Sequence, residues 1–93
     1  MEMEVLDMAD SQTRTRVFDS DELKQANIKF IMNSVNEALL ERGYNPVVQI
    51  VGYLITNDPA YISSYKNART MIQTVDRDEI LKEIVRSYLN DNE

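Results

Sequence analysis

The chain contains no cysteine, no histidine and no tryptophan, and only two glycines and two prolines in 93 residues. Without cysteine there is neither a disulfide framework nor a thiolate metal site, and without histidine the commonest general base and zinc ligand are both missing. The glycines, Gly43 and Gly52, fit neither a G-x-G-x-x-G loop nor a P-loop. Positive charge is scarce as well. Ten Lys and Arg against 16 Asp and Glu leave a net charge of −6, the wrong sign for a nucleic-acid footprint. No apolar run approaches the ~20 residues that span a bilayer. The first ten residues hold four acids and no base, the reverse of a signal peptide. The expectation is a cytoplasmic protein with no cofactor, no metal, no nucleic-acid partner and no membrane insertion.

What is present suffices for one small domain. Hydrophobic residues make up 43% of the chain, but a domain of this size buries only roughly 60–65% of the surface its unfolded chain exposes. Stability is therefore expected to draw on self-association. Residues 1–18 lack helical periodicity and mix acids with Ser, Gln, Thr and Arg, which predicts a disordered tail followed by a helical domain over 19–93. Met8 offers a second start, with residues 1–7 as an extension.

From Asp19 the signals sharpen. Asp19 and Glu22 have the spacing of a capping box, with Phe18 and Leu23 as its staple. The helix they open is expected from about Ser20 to Arg42, with Ile28, Ile31, Met32, Val35, Ala38 and Leu39 on its inner face and Gly43 ending it. Asn45-Pro46 and Asp58-Pro59 each set a capping side chain before a proline, an arrangement that starts a helix where no N–H is needed. The run from Pro46 to Ile55 is apolar almost all round, so periodicity does not separate helix from strand, and Pro46 decides for helix. A further short helix is expected from about Ser64 to Thr74, with Ala68, Met71 and Ile72 inward. The last has Asp76 as N-cap, Glu79 closing a box, Val75 against Ile80 as a staple, and a wide stripe of Ile80, Leu81, Ile84, Val85, Tyr88 and Leu89. The fold class is all-α, a compact domain of about four to five helices, dimeric because that stripe and the run after Pro46 exceed what one small core needs.

Catalysis finds no machinery here. Asp76, Asp78 and Glu79 cluster, but at a helix N-terminus, where the macrodipole favours acids. Tyr44, Tyr53, Tyr61 and Tyr65 read as packing residues with a wet hydroxyl. The bases Lys66, Arg69 and Arg77 stand out in an acidic protein, as do the hydroxyls Ser11, Thr13 and Thr15 alternating with Gln12, Arg14 and Arg16 in the tail.

The segments GYNPVVQIVGYL (43–54), NDPAY (57–61), KNAR (66–69) and RDEI-KE-V-YL (from Arg77 to Leu89) resemble the IreB-type regulatory phosphoproteins of low-GC Gram-positive bacteria. The resemblance implies a non-catalytic signalling protein phosphorylated on tail threonines by a PASTA-type Ser/Thr kinase and reset by a cognate phosphatase. It further implies tuning of cell-envelope homeostasis and resistance to cell-wall antibiotics, in some members through Clp-dependent turnover of UDP-N-acetylglucosamine 1-carboxyvinyltransferase. By spacing to Phe18, Thr13 matches the main phosphothreonine of the family, and Thr15 is the second candidate. Arg14 stands where members carry an apolar residue. Arg69 and Arg77 match basic positions and are the expected contacts for a downstream protein of the cell-wall pathway, although Ser64 and Gln73 replace bases found in relatives. The rival reading is an unmodified helical assembly protein docking on a larger complex.

Overall fold

The computed structural model describes residues 20–91. Within them lie four α-helices, α1 (Ser20–Glu41), α2 (Pro46–Thr56), α3 (Ala68–Ile72) and α4 (Arg77–Asp91), with 3₁₀ turns at Pro59–Tyr61 and Tyr65–Asn67 and no strand. The all-α expectation holds. The tail, and with it the capping box and staple that rest on Asp19 and Phe18, lie outside the described residues.

The longest helix, α1, is the spine against which α2, α3 and α4 all pack. Ile28, Ile31, Val35, Ala38 and Leu39 recur at helical spacing and are all buried. Tyr53 from α2, Ile62 from the connection, Ala68 and Ile72 from α3 and Ile80 from α4 close the core around them. The α1 helix ends where Gly43 adopts φ +79, the left-handed conformation a glycine takes without strain. Asn45 then caps α2, its side-chain oxygen accepting the Val48 N–H at 3.3 Å, with Pro46 at the first position.

After α2 the chain is held by side chains rather than by regular structure. Thr56 Oγ1 donates to the Gly52 carbonyl and accepts the Asp58 N–H, Asp58 accepts from Ala60, and Gln49 Oε1 accepts the Ser63 N–H at 3.0 Å. One expectation needs correction: the segment from Ser64 to Thr74 is not a continuous helix. Lys66 (φ 50) and Asn67 (φ 64) are both left-handed, and α3 starts only at Ala68. The helix-forming content of the stretch is overridden there by contacts to the end of α1.

The α4 helix begins behind Asp76, whose carbonyl accepts the Ile80 N–H at 3.1 Å. The expected reciprocal box does not form. Glu79 turns instead to Lys24 and Lys82, at 4.0 and 3.7 Å. The same two helices meet again at Glu83, buried to 6% exposure, which takes Arg86 at 2.8 Å and Lys29 of α1 at 3.7 Å.

Candidate functional site

Most of the hydrophobic surface on α2 and α4 finds no cover within the described residues. On α2, Val47, Val48, Val51 and Ile55 are exposed; on α4, only Ile80 of the stripe is buried, while Leu81, Ile84, Val85, Tyr88 and Leu89 stay exposed. A groove of about 380 Å³ runs between them, floored by Met32, Ile50 and Leu54 and rimmed by Val47, Val51 and Ile84. Scattered exposed apolar residues are ordinary, but a contiguous set on two neighbouring helices marks a protein-interaction surface.

The three bases singled out in the sequence do not form one open patch. Lys66 Nζ sits 2.8 Å from Glu41 Oε1, and the other oxygen of that carboxylate accepts the Tyr65 hydroxyl at 2.7 Å. The Tyr65 ring lies beneath the Arg42 guanidinium, 4.8 Å from its centroid. The Lys66 and Tyr65 hydrogen bonds hold the Glu41 carboxyl below the usual carboxylate range, while the same carboxylate raises Tyr65 and Lys66. This clasp ties the left-handed turn to the end of α1. It was not legible in the sequence, where Glu41 and Tyr65 are 24 residues apart.

Arg69 and Arg77 are half-buried and reach inward. Arg69 Nε donates to the Ile62 carbonyl at 2.8 Å, and Arg77 Nη1 donates to the Leu54 carbonyl at the same distance. Arg69 thus fastens the α2–α3 connection, and Arg77 ties α4 to the C-terminal end of α2, where the helix dipole presents negative charge to a cation. Neither carries the wholly solvent-facing guanidinium that a pure docking residue would.

Two threonine hydroxyls of the domain are occupied. Thr56 is bonded on both sides, and Thr74 Oγ1 donates to the Met71 carbonyl at 2.7 Å. Thr13 and Thr15 lie outside the described residues. Among the described residues no group of His, Cys, Asp and Glu is arranged to hold a metal ion, and no helix is long and apolar enough to cross a membrane.

A small helical domain with an open apolar groove among its described residues has the features of a binding or regulatory protein. The family comparison gives that class a name. The model of the IreB regulatory phosphoprotein matches residues 13–90, over four-fifths of the chain, and the chain belongs to that family.

Proposed function

We propose that the chain is a non-catalytic cytoplasmic regulator whose N-terminal tail is phosphorylated by a PASTA-type Ser/Thr kinase, Thr13 first and Thr15 second, and returned to its resting state by a cognate phosphatase. The observation that carries this reading is the family match, which takes in both threonines. Geometry disfavours two other threonines: Thr56 and Thr74 are engaged in backbone hydrogen bonds that a phosphoryl group would break. Phosphate at Thr13 adds about −1.5 to −2 charges beside Arg14 and Arg16. The output is a change in what the protein binds, tuning envelope homeostasis and resistance to cell-wall antibiotics. One such route is Clp-dependent turnover of UDP-N-acetylglucosamine 1-carboxyvinyltransferase.

In this reading two chains pair through the exposed faces of α2 and α4, and the remaining N–H groups of Arg69 and Arg77 meet the downstream protein. The alternative, an assembly protein whose tail is never modified, draws on the same exposed faces. Treating the chain with a PASTA-type kinase and mapping phosphate by mass spectrometry separates the two. Thr13→Ala is expected to remove most of the incorporated phosphate; equal labelling of that variant contradicts the assignment.

A further inference from the structure

The chain has no cysteine, so its methionines are the side chains that a peroxide oxidises most readily. Two of them lie among the described residues, Met32 on α1 and Met71 on α3. Met32 stands where two clefts of about 380 Å³ each meet, since both are lined by Met32, Asn33 and Ile84. One is the apolar groove floored by Met32, Ile50 and Leu54. The other runs on past Lys29, Glu83 and Ser87, whose donors and acceptors suit water and a small polar oxidant. Met71 packs against the core and lines neither cleft. The half-buried Met32 is thus approached through a polar cleft and displayed in an apolar one.

We propose that Met32 is an oxidation site whose sulfoxide closes the apolar groove to its partner. The oxidant is a hydroperoxide, in the simplest case hydrogen peroxide. A lone pair of the Met32 sulfur attacks one peroxide oxygen and the O–O bond breaks. The hydroxide that leaves takes the proton of the oxygen retained on sulfur, so sulfoxide and water form; sulfur gives up two electrons and the peroxide takes them. The product sets a strong hydrogen-bond acceptor on a floor where Ile50 and Leu54 offer no side-chain donor. An apolar face laid over the groove strips water from that oxygen without replacing its hydrogen bond, which weakens binding about tenfold. This consequence rests on the proposed pairing through α2 and α4; the site itself does not. Pairing covers the groove, so the oxidation belongs to the separate chain and keeps it separate.

The test exposes the full chain to graded hydrogen peroxide and follows oxygen uptake at Met32 and Met71 by peptide mass mapping. In dilute protein Met32 is expected to gain oxygen several-fold faster than Met71, and more slowly as concentration rises and chains pair. Sedimentation of the oxidised chain is expected to show self-association weakened about tenfold and restored by methionine sulfoxide reductases with a dithiol. Met32→Leu is compared with itself before and after peroxide, and no weakening is expected. Equal rates at the two methionines in dilute protein overturn the site. Association kept by the oxidised chain, or lost equally on oxidation of Met32→Leu, overturns the switch. If the untreated chain never associates, the proposed pairing fails and the methyl signals of Ile50, Leu54 and Ile84 read the groove instead: shifts on oxidation that are absent in Met32→Leu support the site, and unaltered signals overturn it.

Discussion

Arg77 shows how one residue's role changes once its reach is known. In the sequence it is a base between two acids in a first helical turn, explicable as local screening; in the fold its guanidinium crosses to the Leu54 carbonyl. A hydrogen bond from a charged donor contributes about 1.5–3 kcal/mol, so Arg77→Ala is expected to lower stability by about 1–2 kcal/mol in urea unfolding with unchanged m. A loss within a few tenths returns the residue to the surface class. Any binding defect of that variant counts only at a temperature where it is folded. Glu41 makes a prediction of opposite visibility. Its carboxyl is lowered by Lys66 and Tyr65, so the folded state binds its proton less tightly than the unfolded chain. The clasp therefore stabilises fully above the ordinary carboxylate value of about 4.3 and is lost as pH falls through the lowered one. Lys66 and Tyr65 are raised, so their contribution is full below about 10 and lost as pH climbs beyond it. Protection of the Asn67 and Arg69 amides, taken as their exchange rate relative to an unfolded peptide at the same pH, is expected to hold between these limits and to fall outside them, with Glu41→Gln removing the acid limb. Protection that ignores pH 3–5 contradicts the clasp. Such pairings across 24 residues leave no local mark in the sequence, whereas caps such as Asn45 do, because their partners are three residues away.

At the scale of elements, α2 was legible in its start and not in its neighbour. Asn45-Pro46 decided helix over strand, and the structure agrees, but nothing local foretold that the helix presents Gly52 to the Tyr61 ring. A Cβ built at Gly52 falls 2.5 Å from Tyr61 Cδ1 and 3.0 Å from Cγ. Alanine improves helix propensity by about 1 kcal/mol, while forced overpacking costs about 1–3 kcal/mol. The clash involves the root of the ring as well as its edge, so Gly52→Ala is expected to destabilise by about 1 kcal/mol in thermal or urea unfolding. In a background of Tyr61→Ala the same change is expected to stabilise, and additive effects in that double-mutant cycle argue against the contact. The break before α3 was hidden for a related reason. Lys66 and Asn67 take left-handed conformations because Glu41 and the Ser63 carbonyl, which accepts the Arg69 N–H at 3.1 Å, hold them from outside the segment. The α4 stripe was read correctly as too wide for one small core, since Ile80 alone of its six residues is buried.

Among the described residues two helix faces stay open, and the family match takes in residues 13–18 ahead of α1. Self-pairing through α2 and α4 is expected to give a mass near twice 10.8 kDa in sedimentation at micromolar concentration, and Val51→Asp or Val85→Asp to shift it toward one chain. A concentration-independent single chain for the unaltered protein removes the dimer. The central claim is that a charge added to the tail changes binding and leaves the helical fold as it was. It is met most directly by comparing ¹H–¹⁵N spectra of the chain before and after treatment with a PASTA-type kinase, alongside phosphate mapping. The account predicts phosphate at Thr13, altered signals around Thr13 to Arg16, and an unchanged pattern for the core of α1. Phosphate on Thr56, Thr70 or Thr74, or loss of dispersion at Ile31, Val35 and Leu39, contradicts it.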